Sequence, residues 1–195
     1  MKLLALDVGN TSVTCALFKD GRIVRRARLA TADVRTKGKA FFKKHFAAAR
    51  PEAAVIGSVV PQAGLSLKQI LPAATGAKAY LIGKDLPVPI ANRYRNPRQV
   101  GADRLLNALA AWEKYRRPAV VIDFGTAVTF DVVSPKGEYL GGVIAPGIEI
   151  SLEALFRKTA LLPRTRLAHP RHVVGRDTVE SIRSGCAYGI GGLCD

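Results

Sequence analysis

The first eight residues carry a change of pattern. Leu3, Leu4, Ala5 and Leu6 form an unbroken apolar run, the mark of a strand covered on both faces, and the run stops at an acid, Asp7. Gly9-Asn10 follows as a two-residue hairpin signal, and Ser12 to Phe18 resumes a strand pattern. Two readings fit "DVGNT". One is a tight turn of ordinary turn formers. The other is a turn whose glycine and exposed N–H groups admit a phosphate while Asp7 orients a hydrated cation.

Farther along, apolar spacing predicts helices over Lys37–Arg50, Gln62–Leu71, Gly101–Tyr115, Glu149–Lys158 and Asp177–Leu193. Strands are expected over Ala53–Val60 and Ala79–Ile82. The first helix turns Phe41, Phe42 and Phe46 inward and its lysines out. The third places Leu105, Leu106, Leu109 and Trp112 on one face. The last opens on an Asp177 cap, with Glu180 at its third helical position. Pro87 to Gln99 reads as a loop and the divide between two lobes, 1–98 and 99–195.

A second stretch, "AVVIDFGTAVTFDVVSPKGEYLGG", repeats the opening, "LLALDVGNTSVTCALFKDGRIV". Each is an apolar strand ending in Asp, then x-Gly and Thr, a second strand, a Lys-bearing turn with Gly, and a third strand. The spacing from acid to turn glycine is 14 residues in both, Asp7 to Gly21 and Asp123 to Gly137. Two copies of one unit, with helices after each, imply an α/β protein of duplicated lobes. Two acid-ended turns then face one another across a nucleotide cleft, which favours the phosphate reading of "DVGNT". No G-x-x-x-x-G-K-[ST] motif is present, so phosphoryl transfer would rely on turns and cations in place of a Walker lysine.

Composition adds bounds. At 195 residues and 48% hydrophobic, the chain can bury a core as one domain or two small lobes. No run nears the roughly 18 apolar residues of a membrane helix, and Asp7 breaks any signal-peptide core. Cys15, Cys186 and Cys194 lack metal spacing and read as reduced thiols of a cytosolic protein. His169-Pro170-Arg171-His172 reads as a solvated loop with no Cys or acidic ligand beside it. A net charge of +15 favours anionic partners, but the basic stretches "IVRRARLA" and "TKGKAFFKKHFAAAR" read as solvated faces.

The motifs "DVGNT", "NPRQVGADR", "VIDFGTAVTFD", "GGVIAPGI" and "GRDTVESIRSG" occur in the order and spacing of type III pantothenate kinases, a family of the acetate kinase, sugar kinase and actin superfamily. The resemblance covers the whole chain. It implies duplicated actin-like (ribonuclease H-like) lobes and ATP-dependent phosphorylation of pantothenate, the first step of coenzyme A synthesis. It also implies a cytoplasmic homodimer that uses Mg²⁺ and a monovalent cation, K⁺ or NH₄⁺.

Carried over by motif, Asp103 resembles the catalytic base and Arg104 the residue that holds the pantothenate carboxylate. Gly101, Ala102, Tyr94 and Thr178 match further substrate contacts. Asp7, Val8, Gly9, Asn10, Thr11, Ser12 and Val13 resemble the phosphate-binding turn, with Asp7 holding Mg²⁺ through water. Thr126 matches a second nucleotide contact, and Asp123 the monovalent cation ligand. Read alone, Asp103 equally fits an acid complementing a helix dipole.

Ser12 replaces an Asn common in the family turn. The family also continues beyond "GGLCD" into further strands and a glycine-bearing segment that contacts adenosine. The expectation is therefore an incomplete second lobe, weak ATP binding and a tendency to associate. Two other functions compete: a non-catalytic transcription accessory relative, and another superfamily phosphotransferase or phosphatase. The acids of "GADR" and "DFGT" argue against the first and "GADR" against the second, which would share only the acidic turns, and neither nucleic acid nor membrane is expected as a partner.

Overall fold

A computed structural model describes every residue, Met1–Asp195. The chain opens with an antiparallel meander, β1 (Lys2–Val8), β2 (Ser12–Lys19) and β3 (Arg22–Ala30). Helix α1 (Val34–Phe46), strand β4 (Ala53–Ser58), helix α2 (Pro61–Thr75) and strand β5 (Lys78–Leu81) follow. These strands form one sheet in the order β3-β2-β1-β4-β5, with β4 parallel to β1 and β5 parallel to β4. The β2–β3 turn is Asp20-Gly21, both with positive φ (49° and 79°), as a primed hairpin turn requires. Alternation along β1 and β2 turns Leu4, Leu6, Val8, Val13, Cys15 and Leu17 inward, where Phe42 and Phe46 of α1 and Leu67 and Leu71 of α2 cover them. Each fully buried side chain of this size contributes about 1.5–3 kcal/mol. This is the larger of the two cores.

Helix α3 (Ala102–Tyr115) leads to a second meander, β6 (Ala119–Phe124), β7 (Ala127–Val133) and β8 (Tyr139–Pro146), and then to α4 (Ile148–Lys158) and α5 (Thr178–Cys194). The second sheet is β6-β7-β8, all antiparallel, so the expected repeat is present as two copies of one three-stranded unit. In the first sheet β1 lies between β2 and β4, whereas β6 lies at an edge. Its Val120 and Phe124 are 59% and 60% exposed. The buried centre of this half is small, Ala108, Val133 and Tyr139, with Trp112 packed beside it.

The helices stand where the pattern put them, with shifts of at most four residues at their ends. The Asp177 cap is present, its carboxylate accepting from the Glu180 N–H at 2.7 Å. Three details differ. The first hairpin tip is Asn10-Thr11, because the Gly9 N–H donates to the Ser12 carbonyl at 3.0 Å. The segment before α3 is fastened to the second sheet, with the Arg93 N–H donating to the Tyr139 carbonyl and the Tyr139 N–H to the Ala91 carbonyl, both 2.8 Å. Helix α3 has two working sides. Leu106 rests on Gly57 of β4, while Leu105, Ala108 and Trp112 pack on the second core. It thus joins the two sheets. No helix is long and apolar enough to cross a membrane.

Candidate active site

Asp7 and Asp123 occupy corresponding places, each near the end of the first strand of its meander and each opposite a threonine, Thr14 and Thr129. The turns beyond them are also related. The backbone N–H of Thr31 donates to the Thr11 carbonyl at 3.0 Å, and that of Gly147 to the Thr126 carbonyl at 3.1 Å. Thr31 Oγ1 adds a bond to the Gly9 carbonyl at 2.7 Å, so the first turn is tied down while Asn10 and Thr11 stay exposed.

Helix α3 delivers two more groups. Asn107 Nδ2 donates to Asp123 Oδ2 at 3.0 Å, and one turn earlier stands Asp103. Oxygen Oδ1 of Asp103 is buried and has no hydrogen-bond partner. Gly101 makes room for it, since a Cβ there would fall on that oxygen. A buried polar atom without a partner is costly and invites one from a ligand.

Asp7 feels the other two acids. Asp7 is exposed by surface area, yet protein atoms crowd its carboxyl, and that desolvation raises its pKa. The charges of Asp123 and then Asp103 push it up further. Such a group of like charges favours a cation. No three acidic, histidine or cysteine side chains stand close enough to cage a metal alone. A hydrated cation shared between one or two carboxylates and substrate phosphates needs no such cage, and the donor set fits it.

Arg104 faces the other way. It is buried, and its Nε donates to Asp131 Oδ1 at 2.7 Å, while Nη2 reaches the Phe130 carbonyl at 3.4 Å. Tyr139 lies beneath the guanidinium and donates its hydroxyl to Asp131 Oδ1 at 3.1 Å. Tyr94 stacks near Tyr139, ring centroids 6.4 Å apart, and lies over Gly141. Tyr94 and Arg104 therefore meet around Tyr139, with Gly101, Ala102 and Asp103 on the same helix start. Thr178 does not join them. It lines a groove of about 480 Å³ between α4 and α5, whose walls include neither Tyr94 nor any residue of Gly101–Arg104.

Two residues of this neighbourhood escaped the sequence reading, Asn107 and Asp131. Asn107 was findable as the position one helical turn after Asp103. Asp131 was findable as an acid inside an otherwise apolar strand.

The family model for type III pantothenate kinases matches residues 3–195. The chain belongs to the type III pantothenate kinase family. Among curated members, that of Anaeromyxobacter sp. (strain K) is 46% identical over 99% of this chain and 79% of its own length. The Myxococcus xanthus member is 42% identical over 99% of the chain and 78% of its own length. A solved structure of a Sinorhizobium meliloti protein assigned as a 2-dehydro-3-deoxygalactonokinase superposes with a TM-score of 0.52 at 16% identity. It covers 82% of this chain and 58% of that one, and it speaks to the actin-like sugar-kinase fold alone. As a pantothenate kinase sequence, the chain places its acid-ended turns and its "GADR" helix start around one centre.

Proposed function

We propose that the chain transfers the γ-phosphoryl group of ATP to the 4′-hydroxyl of pantothenate, giving 4′-phosphopantothenate and ADP at the entry to coenzyme A synthesis. The observation that carries the assignment of the base is the Asp103 carboxylate, with one oxygen enclosed and unpartnered on the first turn of α3, beside two acid-ended strands.

Asp103 accepts a hydrogen bond from the 4′-hydroxyl and orients it in line with the γ-phosphorus. As the new O–P bond forms and the bridging bond to ADP breaks, the hydroxyl proton passes to Asp103. Gly101 and Ala102 line the acceptor pocket through their backbone, Arg104 takes the substrate carboxylate, and Tyr94 completes the contacts. The turn Asp7–Val13 cradles the phosphates through its N–H groups, with Thr126 of the matching turn on the other side. Asp7 would hold Mg²⁺ through water, and Asp123, steadied by Asn107, a monovalent cation, K⁺ or NH₄⁺. When bound, these ions supply the fixed positive charge that a Walker lysine provides elsewhere.

The working unit is a homodimer, and the lobes divide ahead of Ile90, since Ile90 and Tyr94 pack on the second core and Ala91 and Arg93 bond to Tyr139. The charge of +15 serves to draw in two anionic substrates and implies no nucleic acid.

Asp103→Asn tests the assignment. Turnover should fall by roughly 10²–10⁴-fold, the range of a lost general base, while pantothenate binding by calorimetry stays within a few-fold. Near-native turnover would remove Asp103 from the role.

A further inference from the structure

Asp131 is fully buried in the middle of β7, and nothing in the phosphoryl transfer above uses it. Burying a carboxylate is expensive, and this one is heavily engaged. Oδ1 accepts from Arg104 Nε at 2.7 Å and from the Tyr139 hydroxyl at 3.1 Å, and Oδ2 from Thr129 Oγ1 at 3.3 Å. Every partner except Arg104 is a neutral side chain of the same meander.

The guanidinium is gripped on one side only. Nε is taken by Asp131 and Nη2 reaches the Phe130 carbonyl, whereas Nη1 has no protein partner and is not sealed off. The Tyr139 ring lies 5.8 Å from its central carbon. Gly142 opposite leaves space, since a Cβ there would overlap the Phe130 carbonyl oxygen and stand 2.8 Å from Nη2. A planar fork held at its root this way leaves one terminal nitrogen free in a single orientation, suited to a charge-assisted hydrogen bond to a carboxylate.

The geometry points to Asp131 as the positioning residue for substrate-carboxylate recognition. Through Nε it fixes the plane of Arg104, so that Nη1 is presented to the carboxylate end of the acceptor. Asp131 itself touches no substrate. This rests on the assignment of Arg104 to the pantothenate carboxylate.

The test compares two acceptors, pantothenate and the neutral analogue in which CH₂OH replaces its carboxylate, at saturating ATP. With Asp131→Asn, KM for pantothenate should rise by about ten-fold or more, the scale of losing one oriented charge-assisted bond. The value of kcat should hold within about three-fold, and KM for the alcohol should change little. Tyr139→Phe removes only the neutral bond to Oδ1 and should give a smaller shift in the same direction, which keeps the test alive if Asp131→Asn does not fold. Equal losses on both acceptors would make Asp131 a merely structural residue and overturn the proposal. Arg104→Ala is the separate control. If it fails to discriminate between the acceptors, the assignment of Arg104 falls; if it discriminates and Asp131→Asn does not, the positioning role alone falls.

Discussion

Gly101→Ala offers a way to move the proposed base, Asp103, without removing it. Gly101 has φ −60° and ψ 144°, a conformation open to alanine, so the backbone pays no penalty. The added methyl carbon would stand 2.3 Å from Asp103 Oδ1. Ordinary contact between carbon and oxygen is roughly 3.3 Å or more, so the oxygen has to retreat by about 1 Å. No hydrogen bond holds Oδ1 in place, so no polar partner is lost when the carboxylate turns away. Replacing glycine by alanine also removes freedom from the unfolded chain, worth about 0.4–1 kcal/mol where the conformation fits. The variant should therefore melt at or slightly above the parent temperature. A displacement of about 1 Å at the reacting centre costs on the order of 10²-fold in rate. A coupled ADP-release assay at saturating substrates, run beside thermal unfolding, reads both numbers. Turnover within two-fold of the parent would refute the reasoning, since the carboxylate would then not need the place Gly101 leaves for it. A lost melting transition would refute the claim that Oδ1 can turn away.

Two further outcomes follow from the acids. Activity should depend on K⁺ and be lost in Na⁺ alone, and Asp123→Ala should reproduce that loss in K⁺; equal rates in the two salts would remove the cation role from Asp123. Asp7→Asn should inactivate the enzyme yet raise the melting temperature of the ligand-free protein at pH 7. The folded pKa of Asp7 lies above its unfolded value, so stability drops as pH rises from the unfolded value of about 3.9 through the folded one and stays lower at neutral pH. Asparagine carries no such loss, and the gain should fade toward pH 3. A parent more stable than the variant at pH 7 would contradict the desolvation and repulsion assigned to Asp7.

What was legible beforehand was local. Acid-ended apolar strands, the Asp20-Gly21 turn and the Asp177 cap are each decided by residues a few positions apart, and the duplicated unit could be seen by setting two such stretches side by side. What escaped depends on partners distant in the chain. The run Val120-Val121-Ile122 looks as well covered as Leu3–Leu6, but a covered strand needs a layer packed over each face, and α3 is the helix that packs on β6. The single apolar face read for α3 is in fact two, because Gly57 of β4 lets Leu106 approach from one side while the second core claims Leu105 and Trp112. The site divides in the same way. Asp7, Asp103 and Asp123 announce themselves at strand and helix ends, whereas Asp131 acquires its meaning only when α3 lays Arg104 across β7.

The seat of α3 has a mechanical consequence. Leu106 rests on Gly57 in one sheet and Arg104 pairs with Asp131 in the other, so one short stretch of a single helix ties both sheets together. Asp103 and Arg104 sit on that same stretch, while the tips Asn10-Thr11 and Gly125-Thr126 lie off it. A displacement of the helix therefore carries both side chains as one piece and leaves their mutual bearing unchanged.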